Sequence, residues 1–184
     1  MKNFEKFVDK TVVKWRSEKK NVLESYGLGG IIESNREAGD LAEDYILRKI
    51  KNLSQNYKAK KSKGSQSPSD IFAVANRGRF WHIMLIQVKS SENKNHIYNL
   101  NDEEVKILNS FAKFFKKELN SSELMKNYKK SSIVISTGYA GVHNDVKNNR
   151  RFLKDTKYYN SFKKNMSEYV GLDLLGKIMI AHRL

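Results

Sequence analysis

Four side chains in this sequence have types and spacings that could do chemistry together. In the stretch SDIFAVANRGRFWHIMLIQVKSS (69–91), an apolar pattern is interrupted by Asp70, Gln87 and Lys89. Residues two apart on a strand share a face, so Gln87 and Lys89 project together while Ile86 and Val88 turn towards a core. Asp70 opens the preceding strand, and hairpin pairing can bring its carboxylate beside that pair. Glu43 is the fourth member. Asp44 has Arg48 one helical turn ahead, an ordinary surface pair. Glu43 has Ile46 and Leu47 ahead and Gly39 and Asp40 behind, with no local cation. A carboxylate facing the body of a protein needs a partner from elsewhere, and a metal ion or Lys89 would serve. Gly39, one turn earlier, leaves room for a strand end or a phosphate to approach. Two carboxylates and an amide oxygen are hard donors suited to Mg2+ or Mn2+. Phosphodiester hydrolysis uses such an ion to lower the pKa of the attacking water and neutralise charge at phosphorus. A neighbouring lysine stabilises the developing negative charge. The four residues read as a candidate metal-dependent nuclease site.

The elements that must position them can be read from periodicity. Phe4, Phe7, Val8, Val12 and Trp15 recur at spacings of three and four and predict an amphipathic helix over 2–24. Gly27, Gly29 and Gly30 break it, and a second helix over 34–53 carries Ala38, Ala42, Ile46, Ile50 and Leu53 as its stripe. A lysine-rich loop precedes a hairpin with strands near 70–75 and 80–89, turning at Asn76-Arg77-Gly78. Asn101, with Glu104 three residues on, predicts a capping box and a third helix whose core face is Val105, Leu108, Ala112, Phe115 and Leu119. A short helix around 122–130, a β-branched strand at 131–137, a basic helical stretch over 145–170 and a final edge strand, KIMIAHRL, complete the pattern. The expected fold is α/β, an α+β arrangement with a central mixed sheet flanked by helices.

The chain has 184 residues, enough for one domain, or one with an appendage, and for a core that needs no staples. It contains no cysteine, which excludes disulfides, thiolate metal sites and a cysteine nucleophile. The charged N-terminus lacks the apolar core of a signal peptide, and no apolar run approaches the ~20 residues of a membrane span. A soluble cytoplasmic protein is the expectation. A net charge of +15 and a pI near 9.8 point to a polyanionic partner, of which nucleic acid is the commonest inside a cell.

Three pieces of the sequence, GDLAE (39–43), SPSD (67–70) and IQVK (86–89), resemble the PD-(D/E)XK nuclease superfamily. The likeness is nearest to archaeal Holliday-junction resolvases. It extends to Gly64-Ser65, the DIFAVAN strand, VKSS, Tyr98, ILNSFAKFF and the SIVIST strand, over roughly 36–140. The resemblance implies a restriction-endonuclease-like core at 36–184, preceded by an N-terminal helical extension at 1–35 and interrupted by a basic insertion at 143–170. It implies Glu43, Asp70 and Gln87 around Mg2+ or Mn2+, Lys89 as the catalytic lysine, and Ser65, or else Ser62, as an accessory serine. It further implies a homodimer acting on branched DNA, with Phe111, Phe114 or Phe115 at the dimer interface. Gln87 departs from the glutamate usual in resolvases and is similar to the Q-x-K of Mrr-like restriction proteins and a transposase endonuclease subunit. A restriction- or transposition-associated endonuclease on duplex DNA is therefore the nearest alternative, and a catalytically degenerate nucleic-acid-binding module the alternative from another class.

Lys58, Lys60, Lys61 and Lys63 precede Asp70 and would flank the site, with Arg150, Arg151, Lys154 and Lys157 as a second phosphate-binding group. Tyr158, Tyr159 and Phe162 interleave with that group and would either stack on bases or bury a helix face. His82, His96, His143 and His182 show no metal-ligand spacing, and GLGG (27–30) lacks the strand–glycine–helix context of a phosphate loop.

Overall fold

The computed structural model describes residues 2–25, 36–53, 57–62, 67–76, 81–125 and 133–161. Two helices, α1 (Lys2–Ser25) and α2 (Arg36–Leu53), precede strands β1 (Tyr57–Lys61), β2 (Ile71–Asn76) and β3 (Trp81–Ser91). Helix α3 (Asp102–Asn120), a short 3-10 turn (Glu123–Met125), and strands β4 (Ile133–Asp145) and β5 (Arg150–Ser161) follow. The strands form one sheet in chain order, β1-β2-β3-β4-β5. All pairings are antiparallel except β3 with β4, which is parallel and is reached through α3. This is the expected α+β class with a mixed sheet between helices.

Alternation along the strands gives the sheet two apolar faces. Phe72, Val74, Ile83, Leu85, Ile133 and Ile135 point to a core shared with α1 and α3. Ile71, Ala73, Ala75, Met84, Ile86 and Val142 point to a second core under α2. The helices bury the stripes their spacing predicts: Val8, Val12 and Trp15 on α1, Ala42, Ile46 and Ile50 on α2, and Leu108, Ala112, Phe115 and Leu119 on α3. The capping box of α3 forms as expected, with Asn101 Oδ1 accepting from Glu104 N at 2.8 Å and Glu104 Oε2 accepting from Asn101 N at 2.9 Å.

Several expectations are corrected. Helix α1 packs directly on α3 in the sheet's own core, with Phe7 edge-on to Phe115 (5.2 Å between centroids) and Trp15 against Phe111 (5.5 Å) and Phe114 (5.3 Å). Phe111 and Phe115 are consequently fully buried within the chain and are not available to a dimer interface. The lysine-rich loop contains β1: Tyr57 and Ala59 face inward while lysines occupy the rest of an edge strand, where charge discourages sheet-to-sheet pairing. Strand β4 runs through residue 145 instead of ending at 137, and it is buried through residue 144 because elements cover both its faces. Its Gly141 is a packing feature, since a Cβ there would lie 2.5 Å from Tyr98 Cγ. Arg150–Ser161 is a strand pairing with β4 through two register shifts, so the basic segment expected to be helical is a hairpin arm as far as 161. Of the short helix expected at 122–130, the described part is the 3-10 turn alone. The KIMIAHRL strand, His182 and the GLGG stretch lie outside the described residues.

Candidate active site

The site forms where β2 and β3 run out of apolar partners. Their register ends with Ile71 opposite Ile86, and Asp70 lies just beyond that last pair. The backbone of Asp70 is bonded on both sides. Its O accepts from Ser62 N (2.7 Å) in register with β1. Its N donates to Ile86 O (3.0 Å), already the partner of Ile71, so the β2–β3 ladder shifts by one residue at this point. The SPS turn before it is pinned by its serines. Ser67 Oγ donates to Ser69 O (2.6 Å), and the fully buried Ser69 Oγ reaches Ile71 O (3.0 Å) and Ile86 O (3.2 Å). So held, the Asp70 side chain accepts a hydrogen bond from Val88 N at 2.6 Å.

Gln87 and Lys89 are half-buried and share the α3 side of β3, continuing the row of Ile83 and Leu85. Lys89 Nζ forms an ion pair with Glu104, in the first turn of α3. Glu104 thus caps its helix with one oxygen and holds the lysine with the other. Glu43 projects from α2, and the cation it lacks locally is Lys61 on β1, 3.6 Å from Glu43 Oε2. The same Lys61 Nζ lies 3.1 Å from Asp40 Oδ1 and 3.2 Å from Asp44 Oδ1. Sequence reading assigned Lys61 to phosphate binding beside the site, where the structure instead pairs it with Asp40, Glu43 and Asp44, and it gave Glu104 a role only as a helix cap. The available signals were position, Lys61 at a strand end and Glu104 on the helix after the lysine-bearing strand, but neither reveals a contact.

The electrostatics are those of acids that resist ionisation together. Burial is the main force pushing the Asp70 carboxyl up to about 7. The charge of Glu43 adds to the rise, the Val88 amide and Lys89 oppose it, and Glu104 raises it slightly further. Glu43 is also raised, first by burial, with Lys61 opposing and Asp40 and Asp44 adding. Burial works against the charge of Lys61, but the surrounding carboxylates outweigh it and hold its pKa above the ordinary lysine value.

The remaining predicted residues are dispersed. Ser65 and Lys63 lie outside the described residues. Lys58 is exposed, but Lys60 turns away from the site to pair with Asp9 and with Glu5 O on α1, where a phosphate would have to displace Asp9. Arg150 and Lys154 are exposed on β5, and Arg151 Nη2 donates to Asn149 Oδ1 at 3.2 Å. Lys157, Tyr158 and Tyr159 belong to β5, and the positions of their side chains lie outside what is described. His82 is a buried structural residue between Tyr57 OH (3.4 Å) and Ser136 Oγ (3.2 Å). The space where a Cβ on Gly39 would stand is open, with no strand end filling it.

Among the described residues, no three histidine or acidic side chains gather as a metal cluster. The β2–β3 end offers one carboxylate, Asp70, and the amide of Gln87, and the charge of Glu43 on α2 reaches Asp70. Two acids whose ionisation is opposed by burial and by neighbouring carboxylates, Glu43 acting on Asp70 and Asp40 and Asp44 acting on Glu43, are suited to a divalent cation, which would relieve both. Comparison with protein-family models, curated proteins and solved structures finds no match to this chain.

Proposed function

We propose that this chain is a Mg2+- or Mn2+-dependent DNA endonuclease of the PD-(D/E)XK type, selective for branched or junction DNA and acting in the cytoplasm as a homodimer. One observation carries the reading: Asp70, at the end of β2 and bonded to Val88 N, has a carboxyl raised to about 7 by burial and by Glu43. A fold gains nothing in stability from two acids placed this way unless a cation shares them. Glu43, Asp70 and Gln87 would hold the ion, which when bound lowers the pKa of an attacking water and neutralises charge on the phosphodiester. The chain's own groups do the positioning. Val88 N–H keeps the Asp70 carboxylate turned back over β3, and Lys61 steadies Glu43. Lys89, on the same side of β3 as Gln87, carries the positive charge for the phosphate oxygens and is held ready by Glu104. A homodimer would use a surface other than Phe111 and Phe115.

Gln87 favours a second reading. An amide in place of a third carboxylate weakens the pull on a divalent ion, which suits a nucleic-acid-binding module that no longer cuts, while Q-x-K suits a restriction- or transposition-associated enzyme on duplex DNA. Incubating the protein with labelled four-way junction, linear duplex and single-stranded DNA, with Mg2+, Mn2+ or EDTA, separates these. Metal-dependent cutting of the junction, absent in Asp70→Asn, is the expected result. Cutting of one duplex sequence over the junction selects the restriction-type enzyme. Binding without cutting under any metal overturns the nuclease reading.

A further inference from the structure

The end of the sheet that carries the site also carries two outward-facing apolar side chains set among cations. Gly141 on β4 is the register partner of Lys89, and the buried ring of Tyr98 packs against it. Ile97, the residue before Tyr98, is 87% exposed, so it stands level with the site on the loop between β3 and α3. Asp145 lies four residues beyond Gly141 on the same strand, about 13 Å further out. There the β4–β5 hairpin turns, and Val146, 65% exposed, occupies its tip.

The tip is a built shape. Asp145 Oδ1 accepts from Asn148 N (3.2 Å) and its Oδ2 from Asn148 Nδ2 (2.8 Å), and Asn149 N donates to Val146 O (3.2 Å). Asn149 takes the left-handed conformation (φ 49°) that closes the turn, and Arg151 Nη2 caps its side-chain oxygen. The polar side chains of the turn hold its form, which leaves Val146 facing outward beside the exposed Lys147 and Arg150. Lys94, three residues before Ile97, is likewise exposed. A single exposed valine carries no meaning. Here two of the four large apolar side chains exposed among the described residues lie towards the end of the sheet that carries the site, each with an exposed cation close by in sequence.

We infer that Ile97 and Val146 are base-contacting wedges, and that their ligand is nucleic acid at a place where base faces are open. The lysines and arginines select a polyanion, and phosphates offer an aliphatic side chain nothing. Its gain comes only from the face of an unstacked base, as at a branch point or frayed end. The separation of Val146 from Lys89 along β4 is a few base steps of a strand whose phosphate sits at the site. This selectivity rests on the nucleic-acid reading above and gives it a structural source, but it does not require cleavage.

The test measures binding and cutting separately. In EDTA, equilibrium binding of four-way junction and continuous duplex is compared for the unaltered protein and for Ile97→Ser/Val146→Ser, with a thermal melt to show that the variant folds. The double variant should lose about tenfold in affinity for the junction and little for the duplex. It should also lose the fluorescence rise of a 2-aminopurine placed at the branch. Equal loss on both substrates, or no loss on either, overturns the inference. Cleavage of supercoiled plasmid with Mn2+ is scored on the same preparations. A protein that discriminates but never cuts sinks the nuclease reading alone. One that cuts, with junction preference unchanged in the variant, sinks the wedge alone.

Discussion

From His82 to Ile86, β3 is fully buried and serves the two cores and the buried Tyr57–His82–Ser136 contacts; from Gln87 to Ser91 the same strand is half-buried and carries an amide, an amine and two hydroxyls. The change falls where β2 stops supplying apolar neighbours: Ile86 lies opposite Ile71, the last pair of the register, and Asp70 beyond it donates its N–H to the same Ile86 O. Polar groups there are dry enough for their charges to matter and open enough to meet a ligand. The middle of a strand can thus be selected for packing and its end for chemistry, the register fixing the first and its shift at Asp70 marking the second.

Substitutions should separate the two halves. Lys89→Ala should lower metal-dependent DNA cleavage by about 10²–10³-fold, the scale of losing one charge-stabilising donor, while the melting temperature barely moves. Ile83→Ala, on the same face but fully buried, should do the reverse. It should lower unfolding free energy by about 3 kcal/mol, read from urea midpoints, with unchanged activity per folded molecule. A large activity loss in Ile83→Ala at full folding would break the division.

The division also marks what was legible in the sequence. The three helices and the β2–β3 hairpin were readable because their signals are local, apolar spacing at 3.6 or 2.0 and a capping box at Asn101 and Glu104. The shared face of Gln87 and Lys89 followed from the strand period alone. What escaped depended on neighbours. β1 reads as a lysine loop unless one knows that it is an edge. The strand expected to end at 137 continues through Gly141, which is accounted for only once Tyr98 is placed against it. β5 has no stripe of its own and is a strand because β4 pairs with it. Lys61 and Glu104 join the site through side-chain contacts between separate elements, which no spacing encodes.

A third substitution probes the polar half through pH. The folded-state pKa of Asp70 is about 7, above the ordinary carboxylate value. Between about pH 4 and 7 the unfolded chain has therefore released a proton that the folded chain still holds, and stability falls as pH rises through that window. Asp70→Asn retains an oxygen for Val88 N and has no proton to lose. It should match the unaltered protein near pH 4 and exceed it by on the order of 2 kcal/mol near pH 8, measured by urea unfolding across pH. Excess Mg2+ at the higher pH should narrow the gap by stabilising only the protein that keeps the carboxylate. A gap that is constant with pH would place Asp70 among ordinary carboxylates.

Glu104 offers the smallest and finest distinction, because it belongs to both halves of the comparison. Its backbone and one oxygen complete the cap of α3, and its other oxygen holds Lys89. Glu104→Ala removes both roles and should lower stability by about 1 kcal/mol, the usual worth of a cap. Glu104→Gln keeps a capping-box side chain, so its stability at neutral pH should change by only a few tenths of a kcal/mol. The charge is nevertheless gone, and that charge is one of the causes raising Asp70. Lys89, released from its ion pair, is then freer to oppose the rise. The window over which stability falls with pH should therefore end below about 7 in Glu104→Gln while the melting temperature hardly moves. If the window stays in place, Glu104 is a helix cap that happens to touch Lys89. If it moves, the first turn of α3 tunes the carboxylate at the end of β2 across the sheet's edge, and the boundary between packing and chemistry runs through one side chain.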